Sequence, residues 1–134
     1  MKLLLDTHVL LRVAAGESKW LPASVLALIE DQDNQAFFSA ASIWEVAIKS
    51  SKERTDFKVD PFLLRRHLLE NDYLELAVAG NHAAAVSTLP PIHKDPFDRV
   101  LVAQAQAEGL TLLTTDRTLA SYPGPIQQIN PASH

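Results

Sequence analysis

Short apolar runs alternate along the chain with longer stretches whose apolar residues recur every three or four positions. Lys2 to Leu5 is nearly all apolar, as a strand buried on both faces of a parallel sheet should be. Thr7 to Ala14 then reads as a helix stopped near Gly16, and Pro22 suits the first turn of a second helix carrying Val25, Leu28 and Ile29. That helix gives out in the polar run Asp31 to Gln35, and Ala36 to Phe38 is a brief second strand. Ser39 caps a helix running to about Ser50, with Ile43, Val46, Ala47 and Ile48 as its apolar face. Ser51 to Val59 is polar and reads as a loop. Asp60-Pro61 is an N-cap and first-turn pair opening a helix with Phe62, Leu64, Leu68 and Leu69.

The second half repeats the rhythm. Tyr73 to Val78 is the third strand and Asn81 to Ser87 a short alanine-rich helix. Leu89 to Pro96 holds three prolines and reads as a loop, out of which Asp95-Pro96 opens a helix that runs to Glu108 and stops at Gly109. Leu110 to Thr114 is the fourth strand, Arg117 to Ser121 a helical turn, and Ile126 to Ile129 the fifth strand. Strands alternating with helices predict an α/β fold with a central parallel sheet of about five strands, covered on both faces. Ligands of such sheets bind beyond the carboxyl ends of the strands. Asp6 and Asp116, which close the first and fourth strands, fall at that edge.

Composition narrows the chemistry. A chain of 134 residues that is 47% hydrophobic and 21% charged fits one domain spanning 1–134. It holds no cysteine, which excludes disulfides, thiolate nucleophiles and Cys-ligated metals. No apolar run approaches a bilayer-spanning length, and MKLLLDTH is too short for a signal segment, so no membrane association and a cytoplasmic location are expected. The net charge of -4 argues against a surface that coats nucleic acid generally. Six of the twelve basic residues nevertheless fall between Lys49 and Arg66.

Four acids stand where a metal-dependent nuclease would need them: Asp6, Glu45, Asp98 and Asp116. Each has a bland reading. Asp6 and Asp116 cap the helices that follow them, Asp98 favours the dipole of the helix that Asp95 caps, and Glu45 completes a capping box with Ser42 or pairs with Lys49. Their joint placement is what those readings leave unexplained. Carboxylates gathered at one rim repel and raise one another's proton affinity unless a cation separates them, and a hard divalent ion such as Mg²⁺ or Mn²⁺ is the natural occupant.

Other constellations carry less. The histidines, at 8, 67, 82, 93 and 134, lack the paired spacing of a zinc site; His93, in the loop before Asp95, could touch substrate but is expected as a solvent-exposed loop residue. GxSxG, GxGxxG and GxxxxGK[ST] are all missing. Trp20 and Trp44 are expected in the core or at an interface.

The blocks LLLDTHVLL, FFSAASIWEVAIK, DPFDRVLVAQA and LLTTD, in that order, resemble the PIN domain, specifically the VapC-type toxin of a bacterial toxin-antitoxin pair. The resemblance spans essentially the whole chain. It implies a PIN-like α/β/α sandwich and a Mg²⁺- or Mn²⁺-dependent endoribonuclease, with the family's acids falling on Asp6, Glu45, Asp98 and Asp116. It also implies Thr7 and Thr114 or Thr115 in the same pocket, an RNA substrate, a cognate antitoxin that blocks the site, and a homodimer. One departure stands out: similar sequences often carry Gly-Lys after the Glu45 helix, where this chain has SSKERTDF. Asp95 is an extra acid, either a helix cap alone or a holder of a metal-bound water.

On this reading Asp6 is the central ligand, Asp98 and Asp116 complete the cage, and Glu45 binds the ion or orients water. Arg99 and Lys49 are the candidates to approach the phosphate, although Lys49 can instead pair with Glu45. Two other readings compete. Asp6 could serve as a phosphatase nucleophile, though position 8 is His where that chemistry commonly wants a second Asp. Alternatively, the acids could be caps on a non-catalytic partner-binding protein.

Overall fold

A computed structural model describes residues 1–16, 21–52 and 58–129; Trp20, His134 and residues 53–57 of the SSKERTDF segment lie outside them. Five strands, β1 (Lys2–Leu5), β2 (Gln35–Ser39), β3 (Leu74–Leu76), β4 (Thr111–Thr114) and β5 (Ile126–Gln128), form one parallel sheet in the order β3-β2-β1-β4-β5. Parallel pairing needs long crossovers, and helices supply them: α1 (Thr7–Ala14), α2 (Ala23–Glu30), α3 (Ala40–Ser50), α4 (Pro61–Glu70), α5 (Gly80–Ala85), α6 (Pro96–Glu108) and α7 (Arg117–Ala120). The chain therefore adopts the expected α/β arrangement, with a parallel sheet flanked by helices.

Alternation along β1 splits the core in two. Leu3 and Leu5 pack with Val9, Leu10, Val25, Val46, Leu64 and Leu68 on one side of the sheet, while Leu4 packs with Leu101, Val102, Leu112 and Leu119 on the other. The central strand is thus apolar at Leu3, Leu4 and Leu5 because both of its faces are covered.

The outer strands differ from expectation in length. β3 keeps three residues of the six in Tyr73 to Val78, since it pairs with β2 alone, and β2 gains one residue at each end. Pro22 is the N-cap of α2 rather than part of its first turn, and α5 passes at Val86–Thr88 into a 3₁₀ turn. Gly109 ends α6 at φ 67°, a left-handed conformation that glycine adopts without a Cβ penalty. Beyond α3, Lys58 Nζ donates to the carbonyls of Ser50 and Lys52, tying down the described part of that connection. No helix among the described residues is long and apolar enough to cross a membrane.

The strand order decides where a ligand can sit. From β1 the chain moves outward to β2 and β3, then returns to the other side of β1 for β4 and β5. Connections leaving β1 and β4 diverge, and a crevice opens between their carboxyl ends. Leu5 lies in register with Leu113, so Asp6 and Thr114 follow side by side.

Candidate metal centre

Asp6 leaves β1 at this crevice and caps α1. Its Oδ1 accepts the Val9 N–H at 2.8 Å, its Oδ2 accepts the Thr114 hydroxyl, and its own N–H donates to the Leu113 carbonyl at 3.0 Å. The cap and the site position are the same feature, because a strand that ends at the switch point must start its helix there. Burial raises the Asp6 carboxyl above the usual range, against the opposing hydrogen bonds from Thr114 and Val9. Thr114 Oγ1 also accepts the Asp116 N–H at 3.0 Å, so one hydroxyl joins the two strand-end acids.

Asp116 caps α7, with Oδ1 accepting from the N–H groups of Thr118 at 2.8 Å and Leu119 at 3.2 Å. Its Oδ2 lies 3.0 Å from His93 Nε2. Partial burial acts to raise its proton affinity, but the bonds from His93, Leu119 and Thr118 outweigh it and hold the carboxyl below the usual range.

Asp98 enters from the first turn of α6, three residues after Asp95. Asp95 does the capping: its Oδ1 accepts from the N–H groups of Phe97 and Asp98, which leaves the Asp98 side chain free of that duty. Asp98 Oδ2 lies 3.4 Å from His93 Nε2. Burial pushes the Asp98 carboxyl up to about 7, and the negative charges of Asp95, Glu45 and Asp6 push the same way, partly offset by His93. Crowded anions with raised proton affinity are the electrostatic mark of a functional site.

Glu45 is buried on α3 at 4% exposure. Its Oε2 takes a 2.6 Å bond from Lys49 Nζ, one helical turn on, while Oε1 has no hydrogen-bond partner among the described residues. Holding a buried oxygen without a partner is costly, roughly 1–3 kcal/mol, unless another group satisfies it. Thr7 Oγ1 donates to Ser42 Oγ at 2.9 Å and pins α1 to α3 beside Glu45.

The structure thus brings Asp98 and Asp116 together with His93, one ligand-type atom of each lying within 4.8 Å of the others. Asp6 is within electrostatic reach of both aspartates, and Glu45 of Asp98. Thr115 is half-buried next to Asp116. Arg99 has a different task from the expected phosphate contact: its guanidinium donates to the carbonyls of Val86, Pro90 and His93 and to the Tyr122 hydroxyl. His93 is not a solvated loop residue, its side chain being 19% exposed. Only its spacing two residues before the Asp95 cap hinted at this, and the loop's path decides where the ring points. Trp44 is no core residue: it is 63% exposed, its ring edge-on to Phe97 at 5.0 Å.

The donor set fits a hard divalent cation. It is made of carboxylate oxygens, it includes a buried oxygen without a partner among the described residues, and the charges of Asp95, Glu45 and Asp6 raise the proton affinity of Asp98.

Solved structures of the same fold include VapBC2 from Rickettsia felis bound to a DNA fragment from their promoter, at TM-score 0.70 and 13% identity, covering 97% of this chain and 100% of that one. DNA-bound VapBC from Salmonella typhimurium matches at TM-score 0.62 and 16% identity, covering 96% and 98%. A toxin-antitoxin complex from Klebsiella pneumoniae matches at TM-score 0.60 and 17% identity, covering 94% and 96%. Among curated proteins none matches the sequence. The PIN domain model matches residues 3–125, which run from β1 through β4 and include all four acids, and the chain belongs to the PIN domain family.

Proposed function

We propose that the chain is a Mg²⁺- or Mn²⁺-dependent endoribonuclease acting in the cytoplasm as the VapC-type toxin of a toxin-antitoxin pair. The observation that carries the reading is the crowding of Asp98, whose carboxyl is pushed up to about 7 by burial and by Asp95, Glu45 and Asp6. A bound cation would lower the pKa of an attacking water and offset charge developing on the phosphate oxygens. Asp6, Asp98 and Asp116 hold it, and the partnerless oxygen of Glu45 completes the set or orients water. Thr114 fixes Asp6 and Asp116 relative to each other, which removes reorganisation from the site. Lys49, with its side chain 45% exposed, supplies positive charge to a phosphate at the rim, and Thr7 and Thr115 line the approach.

The structural likeness to VapBC assemblies supports a cognate antitoxin as partner, and a homodimer as the working state is what the family resemblance implies. The phosphatase reading is disfavoured by position 8, which is His where that chemistry commonly wants a second Asp. The cap-only reading fits Asp6, Asp95 and Asp116, and Lys49 and the α6 dipole answer part of the charge of Glu45 and Asp98, but it leaves the buried Glu45 Oε1 without a partner among the described residues and Asp98 crowded by Asp95, Glu45 and Asp6.

Induced expression of wild type beside Asp6→Asn tests this, with the cellular RNA mapped for new 5′ ends. Growth arrest with discrete cleavage in wild type alone is expected, because Asn still caps α1. Divalent-dependent cleavage by the variant would refute the assignment.

A further inference from the structure

We propose that His93 is a positioning residue that aims the Asp116 and Asp98 carboxylates at the cation, and that Arg99 and Tyr122 form the frame holding it there. The inference rests on the reading above that these acids bind a divalent ion.

The segment from the 3₁₀ turn to Asp95 has no regular ladder to hold it, yet it is fastened at several points. Arg99 Nη2 donates to Val86 O at 3.0 Å and its Nη1 to Pro90 O at 3.1 Å and Tyr122 Oη at 3.0 Å, with a longer reach of 3.4 Å to His93 O. The His93 N–H donates to the same Tyr122 Oη at 2.7 Å. Tyr122 is 3% exposed and packs with Leu101 and Leu119, so the frame is rooted in the core beneath α6 and α7. A planar guanidinium with five donors suits such a clamp, where a lysine could not span the acceptors.

The ring orientation follows from its two nitrogens. Nδ1 lies 3.0 Å from the Asp95 N–H, which can only donate, so Nδ1 presents its lone pair. A neutral imidazole bonded in this way carries its proton on Nε2. That N–H faces Asp116 Oδ2 at 3.0 Å and Asp98 Oδ2 at 3.4 Å. Nε2 therefore acts on the carboxylates as a donor, and its lone pair is not offered to a metal. The donor holds one oxygen of each carboxylate: Asp98 keeps Oδ1 to turn toward an ion, while Asp116, whose Oδ1 caps α7, is held at Oδ2 in a fixed orientation, the arrangement by which outer partners tune metal ligands.

The test is Mn²⁺ titration of the full-length chain by calorimetry at fixed pH, with melting temperatures recorded for every variant. His93→Ala should weaken Mn²⁺ binding about 10- to 100-fold. His93→Gln, which keeps an N–H at similar reach, should recover most of the loss. Tyr122→Phe should weaken binding by itself yet add nothing in the His93→Ala background, because its influence passes through the ring. Unchanged Mn²⁺ affinity in His93→Ala overturns the proposal, as does an additive double variant. Direct ¹⁴N coupling in the electron paramagnetic resonance of the Mn²⁺-loaded wild type overturns it too, by making the nitrogen a ligand. Asp98→Asn separates the two levels: if that variant also binds Mn²⁺ normally, the metal reading itself has failed.

Discussion

Two histidines in this protein are wired almost alike and stand in different surroundings. His82 Nδ1 accepts the Ala79 N–H at 2.9 Å and its Nε2 meets Glu108 Oε1 at 2.7 Å; His93 repeats the pattern with Asp95 and Asp116. Around His82 there is one carboxylate, itself 43% exposed, and the bond clips the start of α5 to the end of α6. Around His93 there are two carboxylates, and Asp6 and Glu45 act on them from neighbouring elements. Hydrogen-bond wiring alone therefore does not make a site. What separates the regions is how many anions share a volume too small to solvate them.

The strongest way to break this comparison is to disable one region and ask whether the other notices. Asp6→Asn should lower RNA cleavage roughly 10³-fold or more while the melting temperature stays within a few degrees, since the cap survives; single-turnover cleavage with Mn²⁺ checks it. His82→Ala should do the reverse. It removes a buried ring together with its bonds to the Ala79 N–H and Glu108 and costs about 2–3 kcal/mol in urea unfolding, with Mn²⁺ affinity unchanged. If that variant lost metal affinity as well, the two regions would be coupled and the contrast drawn here would fail.

A smaller effect follows from acidity. The folded pKa of Asp98 lies near 7, above its unfolded value of about 4, so the folded state holds this proton more tightly than the unfolded chain does. The stabilising contribution is complete below pH 4 and disappears as pH rises through 7. Discounted for the part of the carboxylate that faces water, it amounts to ~2 kcal/mol. Metal-free wild type should lose stability across that window in chemical denaturation, Asp98→Asn should lose less, and saturating Mn²⁺ should restore the stability of wild type at high pH. The smallest change is expected from Glu45→Gln. Removing that charge should lower the Asp98 pKa, by ~0.5–1 unit in a carbon-detected NMR titration, and an unmoved pKa would separate Glu45 from the cluster.

Much of this architecture could be read from the chain because its causes are local. The apolar run before Asp6, the Asp-Pro openings at Asp60 and Asp95, and the glycine stop at Gly109 each act through neighbours a few residues away, and the structure keeps all of them. The alternation of strand and helix and the parallel sheet follow from the same short-range pattern. Edge strand β3 is shorter than its apolar pattern because its length depends on how much of β2 is available to pair, which no local pattern records.

Tertiary structure alone decided the rest. Asp6 and Thr114 are 108 residues apart and meet only because the strand order places β4 beside β1. The same order turns Arg99 onto the loop rather than outward, aims His93 between two carboxylates, and leaves Trp44 exposed. Residue type and spacing fix which groups can ionise, cap or pack. Desolvation and the identity of a hydrogen-bond partner are set by whatever the fold brings close from elsewhere in the chain, and those two quantities determine whether an aspartate remains a helix cap or becomes part of a reactive centre.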